Sequence, residues 1–168
     1  HTRYWRDWSS DVCSSDLTVV NRLFELVRPR YAIFGEKDFQ QLFLITKMAA
    51  QLHPEIEIVP APTIREASGL AMSSRNVRLN SESRKAADVI SQTLRAAATE
   101  ESIESARLRL NDISREERFT LDYAEIIDED TFEIATEESV RRRAIVAGWI
   151  DGVRLIDNMA MKSALVRA

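Results

Sequence analysis

The chain has 168 residues, 45% of them hydrophobic, which is enough apolar material for one large globular domain or two small ones. No apolar run approaches the roughly 18 residues that suggest a membrane-spanning helix, and a net charge of −4 without a dense basic stripe argues against a nucleic-acid partner. The single cysteine, Cys13, has no disulfide partner, and the N-terminus lacks the regions of a secretory signal. We therefore expect a cytoplasmic protein.

Residues 1–17 differ from the rest of the chain. They contain Trp5, Trp8 and Cys13, end in a Ser/Asp-rich stretch, and show neither a helical nor a strand period. The stretch resembles a translated sequencing-adaptor tract. We interpret it as an artefactual segment and expect it to make few contacts with the remainder of the chain.

Residues 18–62 follow a pattern typical of a helix and then a strand–helix–strand unit. Apolar residues recur at helical spacing over residues 19–27, and Pro29 ends that run. A short apolar run at residues 31–34 stops at Gly35 and indicates a buried strand, residues 39–50 carry a second helical face, and residues 56–59 are β-rich. Two strands joined by a helix predict a parallel crossover and therefore a doubly wound α/β fold.

The second half of the chain predicts a different architecture. Asn80 or Ser81 can cap a long helix, a shorter helix follows at residues 103–110, and Asp151-Gly152 joins two late strands of an antiparallel sheet as a hairpin turn. The charge also changes, from eight basic against six acidic residues over residues 18–79 to thirteen against eighteen over residues 80–168. We therefore expect an α/β domain at residues 18–78 and a small α+β domain at residues 79–168.

A charged loop with the sequence GEKD occupies residues 35–38, where the first strand ends and the next helix begins. At this edge of an open α/β sheet, helix N-terminal amides point outward and ligands commonly bind. Gly35 permits close approach of a ligand to the backbone, Lys37 offers a mobile charge for phosphate, and Asp38 could cap the helix or reach a ribose or metal-bound water. Taken alone, such a loop is more typical of an exposed turn.

A second polar loop, REASGLAMSSRN at residues 65–76, follows the second strand. The hydroxyls of Ser73 and Ser74 can hydrogen-bond a polyphosphate, Arg75 can fork across its oxygens, and Gly69 supplies flexibility for closure on ATP. A serine pair beside an arginine is usually a turn or a helix cap when it stands alone. Because both loops follow strands of one sheet, we expect them to line one cleft.

Three stretches of the chain carry a family resemblance: TVVNRLFELVRPRYAIFGEKDFQQL, IEIVPAPTIREASGLAMSSRN and RLIDN. In their order and separation they resemble the pantothenate synthetase family over residues 18–158. The resemblance implies a partial Rossmann-like nucleotidyl-transferase core followed by the small domain, with the MSSR segment as the counterpart of the KMSKS loop of aminoacyl-tRNA synthetases. It therefore implies adenylate chemistry that uses ATP.

The resemblance also implies roles for individual residues. Of the two adjacent glutamines, Gln41 rather than Gln40 would hold pantoate, and Ile64 would contact the adenine side of ATP. The implied ATP-binding set is Gly35, Glu36, Lys37, Asp38, Ile64, Met72, Ser73, Ser74 and Arg75. Four of these would stabilise charge on the phosphates during catalysis, namely Lys37, Ser73, Ser74 and Arg75. We expect no metal held by protein side chains, and Mg²⁺ would accompany the nucleotide.

The reaction implied by the resemblance has two steps. The carboxylate of pantoate attacks the α-phosphate of ATP and releases pyrophosphate. The amine of β-alanine then attacks the pantoyl adenylate, which gives pantothenate and releases AMP. The resemblance further implies that the full-length protein is a homodimer.

The chain also departs from the family pattern. The family carries a histidine-containing ATP loop in an N-terminal half, and neither His1 nor His53 lies in such a motif. We therefore expect an incomplete enzyme that does not turn over alone. Two other hypotheses stay open, a nucleotidyl-transferase for another carboxylate and a non-catalytic module that keeps the fold. We interpret His53 as a surface loop residue and the basic run at residues 141–143 as a solvated face.

Overall fold

The computed structural model describes residues 13–162, and the chain divides after Pro62 into two compact units. The division falls earlier than the boundary expected at Leu79. Residues 63–78 belong to the C-terminal unit because their loop is hydrogen-bonded to it, and Leu70 and Leu79 are buried in its core. Trp5 and Trp8 lie outside the described residues.

The N-terminal unit contains two helices and two strands. These are α1 (Cys13–Val27), β1 (Tyr31–Gly35), α2 (Phe39–Leu52) and β2 (Glu57–Ala61), with a 3₁₀ turn (Glu36–Asp38) between β1 and α2. The two strands pair in parallel, with Ala32 opposite Ile58 and Phe34 opposite Pro60. The predicted strand–helix–strand unit with a parallel crossover is therefore confirmed.

The core of this unit lies between the helices and one face of the sheet. Leu42, Ile45 and Ala49 are the buried residues of α2, and their spacing of three and four places them on one helical face. Ile45 and Ala49 share one core cluster with Phe24 of α1. Helix α1 begins at Cys13, inside the segment interpreted as artefactual. Leu17, the last residue of that segment, also packs against this core.

Strand β1 is covered on one face only by the described residues. Ala32 and Phe34 pack against the core, whereas Tyr31 is 50% exposed and Ile33 is 70% exposed. The prediction of a buried strand is therefore wrong within residues 13–162. The alternation follows from the two-residue period of a strand, which sends neighbouring side chains to opposite faces.

His53 is buried rather than a surface loop residue. It follows α2 as its C-cap, and its backbone N–H donates to the Ala49 carbonyl oxygen at 2.8 Å. The ring packs edge-on against Phe24 at 5.5 Å between centroids, and Nε2 lies 2.7 Å from Oδ1 of Asn21. The surface interpretation is wrong because this hydrogen bond satisfies the ring nitrogen inside the unit.

The C-terminal unit is a helical layer on an antiparallel sheet, as predicted. Its elements are α3 (Ser81–Thr99), α4 (Ile103–Asn111), β3 (Thr120–Asp128), β4 (Arg142–Ile150) and β5 (Val153–Ala160). The strand order is β3-β4-β5. The apolar face of α3 and the inner face of the sheet form one core that includes Ile90, Leu94, Ile126 and Val146.

Two local signals in the sequence of this unit are confirmed. Asn80 caps α3, since its side-chain oxygen accepts from the backbone N–H of Ser83 at 2.8 Å. Asp151 and Gly152 form the turn between β4 and β5 with φ angles of 47° and 76°. Positive φ at both central residues is the signature of a type I′ hairpin turn.

The basic run at residues 141–143 is not a solvated face. Only Arg141 is exposed, while Arg142 and Arg143 are 4% and 6% exposed. Arg142 donates to the Ser139 carbonyl oxygen at 2.8 Å, and Arg143 donates to a Glu129 carboxylate oxygen at 2.7 Å. The interpretation is wrong because polar partners within the fold take up these guanidinium N–H groups.

No helix within residues 13–162 has both the length and the apolar character required to cross a bilayer.

Gly148 on β4 provides a test of the packing between β4 and the start of β3. A Cβ added there would lie 2.7 Å from the Thr120 carbonyl oxygen and 2.6 Å from Cε1 of Phe119. We expect Gly148→Ala to lower the free energy of unfolding by about 2 kcal/mol or more, measured by urea denaturation. Gly152→Ala is the control, because it meets no atom within 4 Å and only its positive φ is strained, which costs about 1 kcal/mol. Equal losses would contradict the steric explanation.

Candidate functional site

The GEKD loop leaves the carboxyl end of β1 as a short 3₁₀ turn that leads into α2. Gly35 has φ −72° and ψ 134°, an extended conformation open to any residue, and a Cβ added to it would meet nothing within 4 Å. The lack of a side chain at Gly35 is therefore not required by the backbone. It leaves open space above the strand end, where a ligand can approach the main chain.

The charged residues of this loop differ in exposure. Glu36 and Lys37 are half-buried, and Asp38 is exposed. Asp38 occupies the N-cap position of α2, but its side chain makes no capping hydrogen bond. Of the roles considered for its carboxylate, helix capping is therefore not the one observed.

Helix geometry separates the two adjacent glutamines. Both are half-buried, but they sit at different angles from the buried face that contains Leu42. At about 100° per residue, Gln41 lies about 100° from Leu42 and Gln40 lies about 200° away. Gln41 thus lies at the border of the buried face of α2, near the GEKD turn. Gln40 lies on the opposite side of the helix from that face.

The second polar loop is a tight turn followed by a 3₁₀ helix (Ser74–Arg78). Arg65 and Ala71 form an antiparallel bridge, and the Met72 N–H donates to the Ile64 carbonyl oxygen at 2.8 Å. The turn between Arg65 and Ala71 needs a glycine at position 69, because Gly69 has φ +98°. A Cβ there would lie 2.7 Å from a guanidinium nitrogen of Arg95. Gly69 therefore serves a close-packed turn, and this local geometry does not call for the flexibility we assigned to it.

This loop presents apolar and polar groups side by side. Ile64 is 66% exposed and Met72 is 54% exposed, and the backbone hydrogen bond sets them opposite each other. Ser74 and Arg75 are exposed beyond Met72, and the half-buried Ser73 accepts from the Arg75 N–H at 3.2 Å. The exposed surface thus combines two apolar side chains, the Ser74 hydroxyl and the Arg75 guanidinium, with the half-buried Ser73 hydroxyl beside them.

A hydrogen-bonded cluster that sequence reasoning missed holds the base of this loop. Asn76 is 3% exposed, and its side-chain N–H₂ donates to a Glu66 carboxylate oxygen at 2.9 Å and to the Ala71 carbonyl oxygen at 3.0 Å. Arg84 of α3 donates to the other Glu66 oxygen at 2.6 Å and to the Asn76 carbonyl oxygen at 3.0 Å. We call Glu66, Asn76 and Arg84 the clasp.

The clasp perturbs the titration of its carboxylate. The side-chain hydrogen bond from Asn76, then that from Arg84, lowers the pKa of Glu66 below its ordinary value of 4.5. Partial desolvation opposes this shift without cancelling it. The ionised form of Glu66 is therefore the one that the folded loop favours.

A second anchor ties the same loop to the RLIDN stretch. Arg65 donates to both carboxylate oxygens of Asp157 on β5, at 2.6 and 3.1 Å, and to the Asn158 carbonyl oxygen at 3.1 Å. It also donates to the Gly69 carbonyl oxygen at 3.1 Å. The Asp157 side chain is 2% exposed. RLIDN therefore contributes an anchor for the loop, a role that the stretch itself did not indicate.

The two polar loops lie in different units. Gly35, Glu36, Lys37, Asp38 and Gln41 belong to the N-terminal unit, and Ile64, Met72, Ser73, Ser74 and Arg75 belong to the C-terminal unit. Within each unit the residues of one loop lie together. The single cleft expected from the sequence stays a prediction.

A parallel strand–helix–strand unit with a charged loop at a strand end, together with a hydroxyl- and guanidinium-bearing loop, is typical of nucleotide-binding α/β proteins. The comparisons with known proteins specify the family. The chain belongs to the pantoate–β-alanine ligase family, whose model matches residues 14–160. The match includes residues 14–17 of the stretch set aside as artefactual.

Individual relatives agree with this assignment. The chain is 40% identical over 149 residues to the pantothenate synthetase of Thermotoga neapolitana, covering 84% of this chain and 52% of the relative. It is 41% identical over 154 residues to that of Caldicellulosiruptor bescii, covering 87% and 54%. The chain thus spans about half the length of the curated relatives it matches.

Solved structures show the same fold. The crystal structure of pantothenate synthetase from Thermus thermophilus superposes with a TM-score of 0.75 at 39% identity, covering 86% of this chain and 54% of that one. The pantoate–β-alanine ligase from Francisella tularensis, complexed with β,γ-ATP and β-alanine, gives a TM-score of 0.63 at 30% identity, covering 86% and 48%. Both values support the mixed α/β assignment.

The anchor between Arg65 and Asp157 predicts a large effect on stability. Asp157→Ala leaves the Arg65 guanidinium, whose side chain is 19% exposed, without its carboxylate, so we expect a loss of about 3 kcal/mol in the free energy of unfolding. The control, Asp122→Ala, removes the partner of Arg154 in a pair with side chains 40% and 33% exposed, and should cost at most about 1 kcal/mol. Urea denaturation measures both. Replacing the pair by Arg65→Met with Asp157→Leu should recover part of the loss, and similar losses for the two aspartate variants would contradict the anchor.

The lowered pKa of Glu66 predicts a pH dependence of stability. Because the folded state favours the carboxylate, this contribution is present above the ordinary value of 4.5 and is lost as pH falls through the folded pKa. We expect Asn76→Ala to raise the pKa of Glu66, measured by the carboxyl carbon shift in NMR. The variant Glu66→Gln should lose less stability than wild type between neutral pH and pH values below 4.5. An unchanged pKa in Asn76→Ala would show that Asn76 does not stabilise the charge.

Proposed function

We propose that this chain is the C-terminal half of a pantothenate synthetase, which joins pantoate to β-alanine at the expense of ATP. The observation that carries the proposal is the exposed surface of the second loop. Ile64 and Met72 offer an apolar face of the kind a nucleobase packs against, and Ser74 and Arg75 next to them offer donors suited to phosphate. This pairing of surfaces within a few residues matches the two ends of a nucleotide.

In the proposed reaction the pantoate carboxylate attacks the α-phosphate of ATP and displaces pyrophosphate. The β-alanine amine then attacks the acyl carbon of pantoyl adenylate, which displaces AMP and forms the amide. Lys37, Ser73, Ser74 and Arg75 stabilise negative charge that develops on the phosphates. Gln41 orients pantoate for attack, which lowers the entropic part of the barrier.

The remaining residues of the proposed site bind without entering the chemistry. Gly35, Glu36 and Asp38 line the approach to the nucleotide at the end of β1, and Ile64 and Met72 hold its base. Mg²⁺ would enter with ATP, bound mainly by its phosphates.

Two features of the relatives support this proposal. The Francisella tularensis ligase was crystallised with an ATP compound and β-alanine, and the family model covers both polar loops of this chain. The curated relatives are about twice as long as the matched stretch. The activity is therefore assigned to the combination of this chain with an N-terminal half.

A chimera tests the proposed function. The part of the Thermotoga neapolitana enzyme that precedes the matched stretch is fused to residues 14–168, where the family match begins, and pyrophosphate release is measured with ATP, pantoate and β-alanine. With all three substrates, we expect the chimera to release AMP and pyrophosphate in equal amounts. This release should require both pantoate and β-alanine. Residues 1–168 alone should release neither. A folded chimera that binds no ATP would overturn the proposal.

Lys37→Ala in this chimera tests the catalytic role of the GEKD loop. We expect adenylate formation at saturating ATP to slow by roughly a hundredfold, because a preorganised charge near the phosphates is lost. The control is Lys47→Ala on the same unit, which removes an exposed ammonium lying 5.3 Å from the Phe43 ring centroid and should leave the rate unchanged. Equal rates for Lys37→Ala and wild type would show that Lys37 is only a surface charge.

A further inference from the structure

The second polar loop has exposed functional groups on a base that is fixed from inside. Ser74 and Arg75 are exposed, whereas Asn76, the next residue, is 3% exposed. The change from outside to inside occurs within one residue of Arg75. The contacts that fix the backbone of Asn76 therefore also fix the position of the Arg75 Cα atom, from which its side chain extends.

Arg84 is the residue that joins the two sides of this loop. Its guanidinium reaches the Glu66 carboxylate at 2.6 Å, on the segment entering the turn, and the Asn76 carbonyl oxygen at 3.0 Å, on the segment leaving it. Since Arg84 lies in the first turns of α3, it is carried by a long helix packed in the core. A rigid element thus holds both ends of the loop through one side chain.

The acceptors of these bonds are also engaged by the loop itself. The Asn76 carbonyl oxygen accepts from the Leu79 N–H at 3.1 Å, and the Asn76 N–H donates to the Ser73 carbonyl oxygen at 3.0 Å. Asn76 and Arg84 bind different oxygens of Glu66, so each hydrogen bond supports the other. Their shared effect is the lowered pKa of Glu66, which favours the charged form that Arg84 requires.

We propose that Arg84, acting through Glu66 and Asn76, is a positioning residue for the phosphate-binding loop: it holds residues 73–76 in the conformation that presents Ser73, Ser74 and Arg75 to ATP. This inference rests on the proposed function. Arg84 contacts no substrate and takes part in no chemical step. Its contribution is the preorganisation of groups that would otherwise have to be ordered when ATP binds.

The chain contains a closely matched control for Arg84. The Arg84–Glu66 pair has a distance of 2.6 Å and side chains 39% and 24% exposed. The Arg107–Glu125 pair, between α4 and β3, has a distance of 2.7 Å and side chains 38% and 24% exposed. Arg84→Met and Arg107→Met therefore remove ion pairs of the same kind and exposure, and only the first touches the loop.

Amide hydrogen exchange on residues 1–168 tests the positioning without any ligand. We expect Arg84→Met to speed exchange at the amides of Arg75, Asn76 and Leu79 by about tenfold, the effect of losing hydrogen bonds made by a charged group. Arg107→Met should leave these three amides unchanged. Arg84→Lys should give intermediate rates, because an ammonium keeps the charge but lacks the fork that spans both acceptors.

Kinetics of the same variants in the chimera link the positioning to ATP. We expect Arg84→Met to raise the KM for ATP about tenfold while leaving the KM for β-alanine unchanged, since only the loop that holds phosphates is loosened. A general loss of folded enzyme would instead lower kcat without raising one KM. Arg84→Lys should recover part of the ATP effect.

The two experiments fail in different ways. Exchange rates that do not separate Arg84→Met from Arg107→Met, or a KM for ATP equal to wild type, would overturn the role of Arg84 while leaving the proposed function intact. A wild-type chimera that binds no ATP would overturn the proposed function, and with it the nucleotide-binding purpose of the clasp.

Discussion

The Arg65 guanidinium donates to both oxygens of Asp157 and to the carbonyl oxygens of Asn158 and Gly69. A mostly buried guanidinium needs such partners, because a charge removed from water without them is strongly unfavourable. The geometry that satisfies it also determines the path of the chain. The Arg65 side chain links the turn at Gly69 to β5. It therefore fixes the position of the loop that follows the turn relative to the sheet.

The clasp extends this constraint in the opposite direction. Arg65 and Glu66 are neighbours in an extended segment, so their side chains leave the backbone on opposite sides. Arg65 reaches β5, and Glu66 reaches Asn76 and Arg84. The segment is therefore held from both sides by charged hydrogen bonds, which are directional and stronger than neutral ones. Apolar contacts alone would leave the rotation of the segment less well defined.

Local signals in the sequence predicted much of the fold and few of these anchors. The parallel crossover, the Asn80 cap and the Asp151-Gly152 turn depend on neighbouring residues, so a single sequence contains the information for them. The burial of His53 depends on Asn21, which is distant along the chain, and no local pattern reports such a contact. Arg142 and Arg143 were misjudged for the same reason, since a basic run looks identical whether its partners are water or carbonyl oxygens.

The candidate site shows the same limit at the level of function. The exposed groups of the GEKD and MSSR segments could be named from the sequence, because the motifs contain them. Arg84 could not, because its hydrogen bonds join it to residues 18 and 8 positions away along the chain, and no local pattern reports such contacts. The difference between the expected domain boundary at Leu79 and the observed one after Pro62 has the same cause. The hydrogen bonds of Arg65 join residues 63–78 to the C-terminal unit.

Holding the loop from inside while its tip stays exposed resolves a conflict that every binding loop faces. Side chains that contact a ligand must be accessible, yet ordering an exposed side chain and its backbone on binding costs about 0.5–1.5 kcal/mol for each rotamer-rich side chain. In the proposed role, the side-chain hydrogen bonds of Arg65, Glu66 and Asn76 fix the base of the loop, so that the side-chain rotamers at residues 73–75 would be the main groups to be ordered when ATP binds. The clasp is itself partly exposed, so dissolved salt weakens it as well as any contact between Arg75 and an anion. Ionic strength therefore acts on such a site twice, once on the contact with the ligand and once on the conformation that makes the contact available.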